Sequence, residues 1–226
     1  MGLIKEKQSF LYKTWFENSS WSRIIKEDEW FEEYLTILDN LKMHYTQYKA
    51  RLLPGIFNTL ASIKNMKTYS DIKVIFVAKP QESFEGMCFS SEILNIENEE
   101  QRVIKEVSKT SYEAELFRSI QSRWIKEGVM FLPTSFTSGK IHPKNHELIW
   151  ESCIENLIRI LDDNIDCVWV LVGEAKKFKN CLKISNLDME VCDFTERNLP
   201  KLVQLEPFKK INDILENMLR VERIVW

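Results

Sequence analysis

Two short apolar runs, Ile72–Ala78 (IKVIFVA) and Cys167–Val172 (CVWVLV), most constrain what this chain can fold into. Runs this short, rich in Val and Ile and without polar alternation, suit strands covered on both faces, as in a parallel sheet flanked by helices. Two further segments have the same character: GVMFLP (Gly128–Pro133) and MEVCDF (Met189–Phe194). Between them the apolar spacing turns helical. WFEEYLTILDNLKMHY places Trp30, Tyr34, Ile37, Leu38 and Leu41 on one stripe. HELIWESCIENLIRIL does so with Leu148, Ile149, Cys153, Leu157, Ile160 and Leu161, and EPFKKINDILENMLR with Phe208, Ile211, Leu215 and Leu219.

Strands alternating with helices predict an α/β fold: a single-domain, doubly wound, mostly parallel four-stranded sheet flanked by helices. With 226 residues, 44% of them hydrophobic, the chain can bury one sizeable core. No Gly/Ser/Pro-rich linker divides it, so residues 21–226 read as one domain behind an N-terminal extension, residues 1–20. Ligands of such sheets sit outside the carboxyl ends of the strands. The loops 79–91, 133–146, 173–177 and 193–200 should therefore share one cleft.

Charge and cysteine usage narrow the function classes. The formal net charge of −3 does not by itself point to nucleic acid, although a local basic stripe can act on an acidic protein. Five cysteines without CxxC spacing indicate neither a disulfide framework nor a zinc site, and no cofactor or metal is expected. A reducing, intracellular setting (cytoplasm, or nucleus) is the expectation. No signal-peptide core or membrane-length apolar run is present, so no membrane partner is expected.

Several pieces, in order, resemble the family-1 uracil-DNA glycosylases. WSRIIKEDEWFEEYLTIL is similar to their first helical region, and LPGIFNTL to their Pro-x-x-x-Ile-Phe-Asn segment. IKVIFVAKP with EGMCFSS resembles their strand, water-activating loop and Gly-Leu-Cys-Phe-Ser pocket. IKEGVMFLPTSFTSGKIHPKNHELIWES resembles their Q-G-V-L-L-L-N segment, followed by Ser-His before a helix with an early Trp. VWVLVGEAKKFKN is similar to their L-L-W-G-x-x-A-x-x-K, and the chain closes on Ile224-Val225-Trp226 much as theirs do. Coverage runs from about Trp21 to the end.

The resemblance implies a pocket that receives a nucleotide extruded from the duplex and reads its Watson–Crick edge. It implies an Asp in G-Q-D-P-Y that orients water, a Tyr that excludes thymine, a stacking Phe, an Asn that pairs with uracil, and a His in H-P-S-P for the leaving anion. Here the first motif becomes Val77-Ala78-Lys79-Pro80-Gln81, with Lys79 for the acid and Gln81 for the Tyr. Pro133 replaces the Asn, and Asp193-Phe194-Thr195-Glu196-Arg197 replaces the His motif. Phe89 keeps its type. Losing a base-edge hydrogen bond can cost about 10⁴-fold in discrimination, and transition-state electrostatics are usually the largest catalytic contribution. Ordinary uracil excision is therefore not expected, and the catalytic set is unassigned.

Glu82 and Glu85 are substitute acids if excision survives, and solvated loop residues otherwise. The base-binding candidates are Phe89, Gln81 and Pro133. The DNA-binding candidates are His146, Ser138, Lys140, Lys144, Gly173, Lys176, Lys177 and Arg197, with Lys179 beside them. His146 stands at the family's phosphate-contacting position, or it opens a helix that Asn145 caps. Gly173 begins a helix whose backbone N–H groups could meet a phosphate, or it starts a plain surface helix. Two readings follow: a DNA-binding or replication- and repair-associated accessory protein, with salt-sensitive affinity, and an active glycosylase for a modified or bulkier base. A protein partner could dock on the N-terminal aromatics Phe10, Tyr12, Trp15, Phe16 and Trp21.

Overall fold

The computed structural model describes residues 30, 32–34, 36–37, 50–52, 71–79, 123–139, 143–182 and 207–225. In chain order these form β1 (Ala50–Leu52), β2 (Val74–Ala78), β3 (Val129–Pro133), β4 (Thr137–Gly139), helix α1 (Pro143–Asn164) and β5 (Val168–Leu171). A 3-10 helix over Gly173–Cys181, helix α2 (Pro207–Ile214) and a π-helical turn over Leu215–Leu219 follow.

Strands β3, β2 and β5 lie side by side in that order, all parallel. Val74 pairs with Val129 on one side and Val168 on the other, and Ala78 pairs with Pro133. All fourteen residues of the three strands are buried, which is why none of the runs could alternate apolar and polar side chains. The expected α/β sheet is present. Its fourth candidate strand, Met189–Phe194, lies outside the described residues, as do the proposed extension 1–20 and the loop 193–200.

The amino-terminal edge of the sheet is set by Gly128. Its φ of +99° lies where residues with a side chain are strained, and a Cβ there would stand 2.4 Å from the Asp71 carbonyl oxygen. That conformation aims the Gly128 carbonyl at two donors, the N–H groups of Lys73 (2.8 Å) and Val74 (3.3 Å). On the other side the Val168 N–H donates to the Lys73 carbonyl at 2.9 Å. Backbone bonds alone thus fix the register in which β3 and β5 enter the sheet.

Helix α1 corrects the sequence reading in two ways. Its first residue is Pro143, so Asn145 lies inside the helix and is not its cap; proline suits a first position, where its missing N–H has no intrahelical acceptor. Its buried face is His146, Trp150, Cys153, Ile154, Leu157, Ile158 and Leu161, whereas Leu148 is 67% and Ile149 40% exposed. Three apolar residues in a row, Leu148-Ile149-Trp150, allow more than one helical phase, and the large indole takes the core.

Residues 30–37 pack across α1 through rings. Trp30 stacks on Tyr34 with centroids 5.5 Å apart, and Phe136 meets Trp150 edge-on at 5.1 Å. The Trp30 indole N–H donates to the Cys153 carbonyl at 2.8 Å, and Asn156 donates to Glu33 at 2.7 Å. Tyr34 stands 5.5 Å from Trp150, so one aromatic cluster joins the early helix, α1 and the segment after β3. Burial pushes the Tyr34 phenol up, and it stays neutral.

A two-stranded antiparallel ribbon, β1 with β4, has no counterpart in the sequence reading, because ARL and TSG are too short and polar to show a strand period. It places Ser138 opposite Arg51. The 133–146 region is therefore less a loop than a strand and a helix start. At the C-terminus Arg220 adopts a left-handed φ of 56°, letting the Val221 N–H close the turn on the Leu215 carbonyl at 2.8 Å. Asn212 then holds the Ile224 backbone by two hydrogen bonds, at 2.9 and 3.1 Å.

Candidate functional site

The strands end together. The Thr134 N–H donates to the Ala78 carbonyl at 3.0 Å, and the Val172 N–H to the Val77 carbonyl at 2.9 Å. These bonds carry the pairing to the last residue and bring Lys79, Thr134 and Gly173 to one edge. Gly173 has a φ of 57°, which turns the chain from β5 directly into the 3-10 helix; the predicted helix start is there, in a tighter form than an α-helix.

Lys79 stands at the end of the central strand, where the resemblance would place the water-orienting acid. Its Nζ lies 2.6 Å from Glu147 Oε1 on α1 and 3.9 Å from Glu174 Oε2 on the 3-10 helix. The Lys79 and Glu174 side chains are 50% and 62% exposed, whereas Glu147 is only 13% exposed. The reversed charge is therefore met by two carboxylates from separate elements. Burial works to lower the Lys79 pKa, but the hydrogen bond and charge of Glu147, with Glu174 behind it, prevail and raise it. The ammonium is fully charged at neutral pH, which disfavours a nucleophilic role. Burial, with Glu174 nearby, holds the Glu147 carboxyl above its ordinary value even against the pull of Lys79.

The residues chosen from sequence divide sharply. Pro133 is buried at the end of β3, in register with Ala78, and offers no side-chain hydrogen bond in the position of the uracil-reading Asn. Immediately after it Thr134 and Ser135 are 3% and 1% exposed, so buried hydroxyl-bearing residues follow that position directly. His146 is 2% exposed, which suits packing at the start of α1 better than a phosphate contact. Lys177 is committed: its Nζ lies 3.0 Å from Glu151 on α1 and 5.0 Å over the Phe178 ring. Lys176 is exposed on the 3-10 helix. Lys144 lies in the first turn of α1 and Ser138 in β4. Gln81, Glu82, Glu85, Phe89, Lys140, Asp193 and Arg197 lie outside the described residues, as do the N-terminal aromatics.

Glu147 and Glu174 were not singled out from sequence. The signal was nevertheless present: a lysine at a motif's acid position calls for an opposite charge, and Glu147 directly follows His146.

No cysteine is poised for catalysis among the described residues. Cys153, Cys167 and Cys181 are free and buried, and burial pushes each thiol up, away from the reactive thiolate. No group of three potential metal ligands occurs among the described residues. No helix among them is long and apolar enough to cross a membrane.

Comparison with known proteins agrees with this architecture. No protein-family model matches the chain. Curated uracil-DNA glycosylases are similar in sequence: that of Borreliella burgdorferi (strain ATCC 35210 / DSM 4680 / CIP 102532 / B31) is 24% identical over 173 residues, 72% of this chain and 76% of that one. That of Borrelia hermsii is 24% identical over 170 residues, 71% of this chain and 74% of that one. Among solved structures, mimivirus uracil-DNA glycosylase matches with a TM-score of 0.56 at 18% identity, over 91% of this chain and 88% of that one. A variant of mimivirus UNG in complex with UGI matches with the same TM-score at 17% identity, over 91% and 90%.

Proposed function

We propose that this chain, a divergent member of the uracil-DNA glycosylase superfamily, binds DNA at the carboxyl edge of its sheet and does not perform ordinary uracil excision. It acts as an accessory to DNA repair or replication. The observation that carries this reading is the Lys79 ammonium, held by Glu147 and Glu174 where the superfamily's acid would orient water. A carboxylate there would attract a proton from water and oppose the positive charge that develops on the sugar. An ammonium does neither, and it disfavours a cationic transition state. Pro133 supports the same conclusion, since a uracil edge would find no side-chain partner on it.

DNA affinity on an acidic chain should be modest and salt-sensitive, drawing on phosphate contacts from Lys176, Lys144, Lys140 and Arg197. Buried, unpaired cysteines suit an intracellular setting. Titration of a labelled duplex at low and at moderate salt tests the binding claim. Saturable binding that weakens several-fold as salt rises is expected; no binding even at low salt contradicts it.

One observation favours a second reading, excision of a modified or bulkier base. Glu147 and Glu174 return carboxylates to the strand end, and Gln81 with Pro133 leaves a wider, less uracil-specific pocket. Appearance of abasic sites in DNA carrying such bases, lost on Glu147→Gln, would establish it.

A further inference from the structure

At the carboxyl end of β2, one ammonium serves two carboxylates: Glu147 and Glu174 against Lys79 leave one excess negative charge when all are ionised. The arrangement is unequal. Glu147 is nearly covered and close to the ammonium, whereas Glu174 is exposed and 3.9 Å away. The groups around Glu147 come from every neighbouring element. Lys79 approaches from β2 and Glu174 from the 3-10 helix, while α1 itself carries His146 and Glu151. Lys177, also on the 3-10 helix, is already spent on Glu151. Thr134 and Ser135, at the end of β3, add no charge. Nothing else described at this edge can balance the extra carboxylate.

We propose that the Glu147–Lys79–Glu174 group makes nucleic-acid binding at this edge proton-linked: the two carboxylates guard the ammonium at neutral pH and release it to a backbone phosphate when the pair takes up a proton. This rests on the DNA-binding reading above. An approaching phosphate meets net negative charge at the strand end while both carboxylates are ionised. One proton on the pair cancels that excess and leaves a single carboxylate competing for Lys79. Binding and protonation then favour each other, as linkage requires. The covered carboxyl is already displaced towards the protonated form by its burial, which brings the transition nearer to neutral pH than an exposed pair would allow.

The test is fluorescence anisotropy of a labelled duplex with the full chain, at fixed ionic strength, from about pH 8 to about pH 5. Wild type should tighten by about tenfold over this range, the limit for one linked proton being about tenfold per pH unit. Glu174→Gln, at an exposed position that folding tolerates, should bind several-fold tighter at the alkaline end and show a flattened profile. Glu147→Gln should do the same, and Lys79→Gln should bind weakly with little pH dependence. His146 titrates in the same range but is common to these variants, so it cannot produce the difference between them. If Glu174→Gln and Glu147→Gln keep the wild-type slope, the inference is overturned while DNA binding stands. If no variant binds at low salt, the DNA-binding reading fails and takes this inference with it.

Discussion

The two ends of β2 are held by different forces. At the amino end, Lys73 and Val74 are tied to Gly128, and Lys73 to Val168, by backbone hydrogen bonds in a space too tight for a Cβ. At the carboxyl end, backbone pairing stops at Ala78 and Val77, and the next residue is fixed by side-chain charge from two other elements. Steric fixation tolerates almost no substitution and is insensitive to pH. Charge fixation tolerates substitution and responds to pH and salt. A fold can keep the first kind of end intact while the chemistry at the second kind is rewritten, and β2 has that form.

The amino end should break hardest. Gly128→Ala forces a side chain into a left-handed φ and against the Asp71 carbonyl, so a loss of at least about 2 kcal/mol in urea denaturation is expected. A smaller loss would mean that the edge relaxes and the contrast is overstated. Lys79→Met should cost about 1–2 kcal/mol at neutral pH, the lower part of the range for stranding a buried polar partner, because Lys79 is half exposed. The sign with pH follows from Glu147. Its folded pKa is raised, so its stabilising, protonated form is present in acid and is lost as pH rises through the folded value. Removing Lys79 takes away the one influence that opposed this rise. The penalty should therefore shrink as pH falls from about 7.5 to about 5, as denaturation at the two values would read.

In wild type the Lys79 contribution has the opposite alkaline limit. Its folded pKa is raised, so that stability is complete below the ordinary lysine value of 10.5 and disappears only as pH climbs above it. Glu174→Gln is the mildest change, within about 0.5 kcal/mol, since an exposed pair at 3.9 Å contributes little. A larger effect would assign Glu174, rather than Glu147, the main hold on Lys79.

The parts of this molecule that backbone and burial decide were legible in the sequence. The runs IKVIFVA, GVMFLP and CVWVLV became β2, β3 and β5 because strands buried on both faces must be apolar throughout. The GEAKK segment opened a helix after β5 as its spacing suggested. The phase of α1 was misread because Leu148 and Ile149 are as apolar as Trp150, and only volume and tertiary contacts decide which side turns inward. The candidate site was legible only as a loss. Reversal of charge at Lys79 could be seen, but Glu147 and Glu174 lie far along the chain, and only the folded sheet edge brings them to it.

The central claim is that this ion-paired strand end no longer supports uracil removal. The direct measurement is release of free uracil from a uracil-containing duplex incubated with excess full-length chain over hours. The account predicts no release above the protein-free control. Turnover of uracil that disappears on Glu147→Gln would contradict it and make the paired carboxylate the working acid.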